Sequence, residues 1–504
     1  MGIFLRLWNF HNLFYFAIDE EKGAYIIKGI ITGAHFPLAG HPSSIGFRLG
    51  PLLYYLIAPF YFLFGAKPVV WGYVSVAASI ISMILIYKIG GLISKRAGLI
   101  ALILYAFSYL TVLYDRRGWQ VSFHSLMALG ILYSLIKLKQ KWENKYFYIL
   151  VALLIAASQF EVATILFIPF TVLIIYILKI KIKRNFLICG IIVFLIAQSS
   201  LALFDIRHNF INSKYLINYF TRGGPERIKE NIPLTDDREI YLTHNLLPIT
   251  LARTLVPLGI NNAAIEYANC PQYLIYKDKL MPEVILLFVI SILGFFALIE
   301  IREWKEDDSF HNIGKIIFLY FAIVVIFSSI YTYIFSGEMA EYYFLTLFGY
   351  FFIMIALIAD RFIGEKYNVL LFAALVLFAT RNADAMIQTK NPYGLIFKED
   401  AVKYATANIH NSSFILDSFQ TCWYSGGYRY LFSLYGAEPV RSYMDQYLNE
   451  YYQLNNEKEM MDEVDILTGE LIGAQPDGFD QFKKNLEKNR KNMQNFGKIE
   501  VYIK

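Results

Sequence analysis

The chain has 504 residues, of which 57% are hydrophobic, 17% aromatic and 17% charged, with a mean hydropathy of +0.43. Soluble domains cannot hide that much apolar surface from water, so the chain reads as a polytopic membrane protein. A net charge of +5, with basic residues in short runs between apolar segments, lacks the basic face that nucleic-acid binding needs.

Residues 1–18 hold Arg6 and His11 and no small-residue cleavage site, so they are not a standard signal peptide. They suffice for the outer part of a span, or they pack without crossing. The acidic run Asp19-Glu20-Glu21 comes next. Leu49–Gly65 has Pro51, Pro59 and Pro68 within or near it and reads as a helix lying at the membrane face. Ten apolar spans follow, at roughly 69–92, 97–115, 119–138, 146–159, 160–180, 186–205, 284–302, 313–335, 339–360 and 366–381. With 49–65 kept out of the count, one set of loops carries Lys88, Lys95, Arg96, the lysines of 137–145, the basic run 179–184, Arg302, Lys305, Lys315, Arg361 and Lys366. The opposite short loops carry only Arg116 and Arg117. The basic side is expected to be cytoplasmic. Loops 19–68 and 206–283 and the polar segment 383–504 then lie outside. A loop as long as 206–283 is usually functional. In 383–504, helix-like Lys398–Ile409 and strand-like Ser413–Asp417 and Lys498–Ile503 predict a small extracytoplasmic α/β domain behind a transmembrane domain of 1–382. Cys189, Cys270 and Cys422 are far apart and make no metal or redox spacing.

Several clusters of ionisable residues fall on the outer side. Asp19 and Glu20 are either N-terminal helix charges favoured by the dipole or a general base or metal ligand at the mouth of the bundle. Asp115-Arg116-Arg117 sits in a turn between two spans; its guanidiniums suit lipid head groups or a lipid-linked phosphate. Arg207 and His208 open the long loop at the end of a span. Arg48 heads the surface helix, where it could simply snorkel. Gln159 and Glu161 face outward between two spans. Glu338 and Glu341 start another span at helical spacing, as helix charges or as the lining of a sugar pocket. The chain has no Asp-x-Asp, no Walker loop and no Rossmann glycine pattern.

In this order the features resemble the GT-C superfamily of integral-membrane glycosyltransferases. The nearest branch is the protein O-mannosyltransferase and lipid A aminoarabinose transferase type. The resemblance rests on the acidic pair, Gly50-Pro51-Leu52-Leu53-Tyr54-Tyr55-Leu56, Leu63-Phe64-Gly65, Tyr114-Asp115-Arg116-Arg117-Gly118-Trp119-Gln120 and Phe204-Asp205-Ile206-Arg207-His208-Asn209-Phe210. It covers about residues 1–382 and implies a mostly α, GT-C-like bundle. It further implies a polyprenyl-phosphate-linked sugar donor, an extracytoplasmic acceptor, and a multi-pass enzyme of the cell membrane whose site faces outward among membrane lipids. Asp19, with Glu20 beside it, would act on the acceptor nucleophile, with or without a divalent cation. Basic residues would hold the departing phosphate. Arg48-Leu49-Gly50-Pro51 departs from the family's basic residue before a proline pair. The competing reading is a transporter or flippase of lipid-linked saccharides, but no internal repeat supports it.

Overall fold

The computed structural model describes residues 1–43, 46–222, 236–257, 283–333, 341–409, 414–419, 426–436, 438–445, 462–468, 479–489 and 492–503. Two short helices, α1 (Gly2–Leu7) and α2 (Phe10–Leu13), precede α3 (Ile18–Ile31) and α4 (Leu52–Phe64). Then come α5 (Val69–Gly90), α6 (Lys95–Phe107), α7 (Tyr109–Asp115), α8 (His124–Gln140), α9 (Asn144–Phe160), α10 (Phe167–Ile177) and α11 (Arg184–Arg207).

Among the described residues seven helices are long and apolar enough to cross a bilayer, and the pair α6–α7, bent by 67°, makes an eighth. The bend falls at Ser108, whose hydroxyl caps α7 by accepting from Thr111 N. Asn382 Oδ1 takes the Tyr109 N–H. The expected spans 146–159 and 160–180 appear instead as shorter apolar helices, Asn144–Phe160 and Val162–Ile177. Helix α4 has 13 residues, roughly 20 Å, which is short of the bilayer's hydrocarbon core.

Segment 206–283, read from sequence as a loop, contains α12 (Ile211–Arg222) and α13 (Asp236–Leu255). Asn209 and Phe210 adopt left-handed backbone angles (φ 54° and 58°) and turn the chain from α11 into α12. Asp205 holds that turn by accepting from the N–H groups of Asn212 and Ser213.

Later helices are α14 (Glu283–Arg302), α15 (Ser309–Tyr333), α16 (Leu345–Phe362) and α17 (Asn368–Gln388). The span containing α8 is 83% buried inside the protein and that containing α16 is 78% buried, whereas α11 is wholly peripheral. Apolar side chains such as Leu195 and Ile196 on α11 and Val369 and Leu377 on α17 are exposed. They belong against lipid, and the protein is an integral membrane protein.

Helix ends that carry much of the basic charge meet at one end of the bundle. Ser94 bonds Asp360 at 2.7 Å, Lys139 bonds Asp307 at 3.0 Å, and Arg361 bonds Glu303 at 2.7 Å.

The C-terminal part is helix α18 (Leu395–Asn408), β1 (Phe414–Phe419), α19 (Tyr428–Leu434), β2 (Arg441–Ser442), β3 (Asp462–Thr468), α20 (Phe479–Asn489), β4 (Asn492–Phe496) and β5 (Ile499–Ile503). The strands form one sheet in the order β2-β1-β3-β5-β4. β1 runs parallel to β2 and β3, and β5 runs antiparallel to β3 and β4. The β4–β5 hairpin turns at Gly497 (φ 59°), where an added Cβ would lie 2.4 Å from Pro392 O. The fold expected from the sequence, a helical bundle with a small C-terminal sheet, is the one observed.

Candidate active site

The acids at the head of α3 begin the site. Successive residues of a helix point about 100° apart, and each acid meets a different partner. Asp19 lines a cavity of about 380 Å³ and pairs with Lys22 on the next turn at 3.3 Å. Glu20 bonds Arg117 Nη2 at 2.7 Å and accepts from Ala17 N at 3.2 Å, at the N-cap of its own helix. Glu21 turns away toward the C-terminal part and accepts from Gly427 N (2.7 Å), Tyr430 N (2.8 Å) and Tyr443 Oη (2.8 Å).

These environments set the protonation states. Burial pushes the Asp19 carboxyl up, but Lys22, His41 and Arg117 pull it down further, and it lies below the ordinary carboxylate value. Burial raises the carboxyls of Glu20, against the pull of Arg117, and of Glu21. His41, 2.6 Å from Tyr54 Oη, is pushed down by burial to about 4, so its imidazole is neutral near pH 7. Asp19 is thus an ionised acceptor of protons at the edge of a largely apolar space.

Lining the same cavity, Arg117 lies over the rings of Tyr15 and Trp119, each centroid 4.3 Å away. Its Nε has no hydrogen-bond partner among the described residues. Gln159 and Glu161, at the end of α9, line the same space. Glu161 accepts from Gln120 Nε2 at 3.3 Å. Gln159 Oε1 accepts from Leu52 N at 3.3 Å. It can approach because residue 50 is glycine: a Cβ there would fall 2.2 Å from the same oxygen. An apolar and tyrosine-rich wall from α15 and the following turn, including Tyr320, Phe327 and Tyr342, completes the cavity.

Other residues singled out from the sequence lie elsewhere. Asp115 points away from the cavity into a buried network with Arg6 (2.7 Å), Ser79 (2.7 Å) and Tyr105 (3.2 Å). Arg116 donates to Trp8 O at 2.8 Å and sits over the Phe10 ring. Arg48 donates to Gly40 O and lies over Phe204, while its backbone exchanges bonds with Asn212. It therefore braces the α11–α12 turn. Arg207 and His208 on that turn are exposed and do not line the cavity. Glu341 is buried, accepts from Tyr114 Oη at 3.0 Å and pairs with Arg253. Glu338 falls outside the described residues.

From the sequence His41 is only one more outward-facing residue, Lys22 and Tyr54 have no assigned role, and Arg253 is not singled out. Lys22 had a signal, the i+3 spacing from Asp19. Arg253 had none, being one cation in a short apolar run. Among the described residues no three His, Cys, Asp or Glu side chains are grouped to hold a metal ion.

The cavity joins an ionised carboxylate, a guanidinium with an unspent N–H and a tyrosine-rich wall. That set can take a proton from a hydroxyl and receive a departing anion. Residues 41–204 match the model of the dolichyl-phosphate-mannose-protein mannosyltransferase family. The crystal structure of ArnT from Cupriavidus metallidurans bound to undecaprenyl phosphate aligns with a TM-score of 0.54 at 10% identity, over 99% of this chain and 96% of that one. The apo-state structure of the same protein aligns with a TM-score of 0.45 at 9% identity, over 100% and 96% of the two chains. At such identity the likeness is one of fold. No curated protein sequence matches the chain.

Proposed function

We propose that the protein is a membrane glycosyltransferase that moves a sugar from a polyprenyl-phosphate-linked donor to an acceptor hydroxyl on the extracytoplasmic face. The observation that carries this is the ionised Asp19 lining one aromatic-walled cavity with Arg117, in a chain that matches a mannosyltransferase family model and shares the fold of ArnT. The acceptor oxygen attacks the anomeric carbon and its proton passes to the Asp19 carboxylate. The bond from that carbon to the phosphate oxygen breaks, and the electron pair leaves with the polyprenyl phosphate. Arg117 and Lys22 stabilise the phosphate as its charge grows. His41, neutral and bonded to Tyr54, stays out of the proton transfer. The α15 wall takes the first isoprene units. The unit 383–504 lies on the same outer face and shapes the acceptor side.

The transporter reading has no comparable support. Ionisable groups of the described cavity sit at helix ends or in the turns between helices.

Asp19→Asn keeps the shape of the side chain but cannot take a proton, so transfer should fall by ~10² or more while the purified protein keeps its unfolding temperature. The assay offers either a lipid-phosphate sugar or the matching nucleotide sugar. Transfer from the nucleotide sugar alone would overturn the reading.

A further inference from the structure

Glu161 differs from the other acids of the cavity. Asp19 has Lys22 and Glu20 has Arg117. The Glu161 carboxylate accepts from Val162 N (3.0 Å) and Gln120 Nε2 (3.3 Å) and forms no ion pair among the described residues. It is 8% exposed. Its partner Gln120 has spent only one end of its amide, because Gln120 Oε1 is buried without a partner among the described residues. The neighbouring Trp119 Nε1 is in the same condition. Native proteins pair nearly all such atoms, since leaving one unpaired is costly. Here two occur side by side, on residues that line one cavity with an uncompensated acid.

The remaining surface has the character of a ring-binding wall. Trp119 and Tyr342 pack edge to face with centroids 4.9 Å apart. They offer flat apolar area next to the polar groups, as sites for small polar rings do. Two of the three polar residues offer acceptors, and one of these is a carboxyl that burial lifts to about 7, so that it bears its negative charge above that pH. A ligand that suits them brings hydroxyl donors. A ligand with its own carboxylate would set two like charges together in a space of low dielectric.

We propose that Trp119, Gln120 and Glu161 form the sugar-recognition subsite of the cavity, which takes a pyranosyl ring presenting hydroxyl donors and rejects a uronosyl ring. This rests on the lipid-phosphate donor reading and adds which sugars that donor carries. Glu161 and Gln120 hold ring hydroxyls, Trp119 donates its indole N–H to a ring or hydroxyl oxygen, and the phosphate stays with Arg117.

The test measures binding of three probes to purified wild type, Glu161→Gln and Trp119→Phe: polyprenyl phosphate without sugar, a neutral hexosyl polyprenyl phosphate and a uronosyl polyprenyl phosphate. At about pH 8.5, above the value of about 7 to which burial lifts Glu161, wild type should prefer the hexosyl over the uronosyl probe by at least tenfold. Glu161→Gln should erase most of that preference and weaken the hexosyl probe about tenfold, while bare polyprenyl phosphate binds within twofold of wild type. Trp119→Phe keeps the wall and should weaken both sugar probes without altering their ratio. An unchanged hexosyl-to-uronosyl ratio in Glu161→Gln sinks the subsite. So does a loss of bare polyprenyl phosphate binding as large as the loss for the hexosyl probe. Failure of wild type to bind any of the three removes the donor reading itself, and the subsite with it.

Discussion

Asp19, Glu20 and Glu21 are adjacent in sequence and do three different things. Asp19 pairs with Lys22 at the cavity, Glu20 holds the Arg117 guanidinium, and Glu21 fastens the C-terminal part. From sequence the run could be recognised as chemically loaded, but its division of labour could not be read. Residue spacing fixes the angle between side chains and leaves open which neighbour each angle meets. Asp115 and Arg116 show the same limit: they flank Arg117, yet they serve α1 and the chain before α2. The charge of Lys22 is the largest of the influences holding Asp19 low, after burial, which acts the other way. Asp19 works as a base only while ionised, so activity should be present above its pKa and lost as pH falls through it. Lys22→Met removes the nearest cation and should raise that pKa. The acid limb of the pH–rate profile should therefore move to higher pH, and an unmoved limb would show that Lys22 does not control Asp19.

At the scale of elements, helices were legible where they were both long and apolar. The core spans α5, α8 and α16 fall where the sequence put them. The break between α6 and α7 was not legible, because it depends on Asn382, far along the chain, taking a backbone N–H. The helical content of 206–255 was hidden by its polar composition. The junction between α3 and the α19 region rests on Glu21, which receives two backbone N–H groups and one hydroxyl. Lys398 supports it by donating to Phe16 O (2.8 Å) and Gly426 O (2.6 Å). Glu21→Leu strands three buried donors at ~1–3 kcal/mol each. Hydrogen exchange should then show the stretch 427–436 losing protection by tenfold or more while α8 and α16 keep theirs. Equal loss everywhere would mean global destabilisation instead. The pair Arg253–Glu341 joins α13 to the start of the α16 span. Arg253→Met should cost ~3–5 kcal/mol by leaving a buried charge unpaired. Adding Glu341→Leu should restore part of that loss, read as a rise in unfolding temperature of the double variant over the single one.

For the whole molecule, the sequence supplied the strongest signal as an imbalance of lysine and arginine, and the basic helix ends do gather at one end of the bundle. Charge bias predicts sidedness because translocation follows positive charge in short loops. In a background with the native cysteines replaced by serine, cysteines at the exposed positions Ala34 and Lys403 should react with an impermeant reagent on intact cells. Cysteines at Lys95 and Lys145 should react only after permeabilisation. The reverse pattern would invert the topology and place the cavity on the cytoplasmic side.

The Glu21 anchor has a consequence for how the molecule is made. Helix α3 leaves the ribosome more than four hundred residues ahead of the backbone N–H groups that hold Glu21. Between those moments every membrane helix of the bundle has to be inserted. The acidic turn that carries Asp19 gains its last fixed contacts only when the far end of the chain has been delivered to the same side. Chains halted before residue 427, or inserted with one span reversed, would keep a loosely held Asp19, so delivery of the C-terminal part and readiness of the site become a single event.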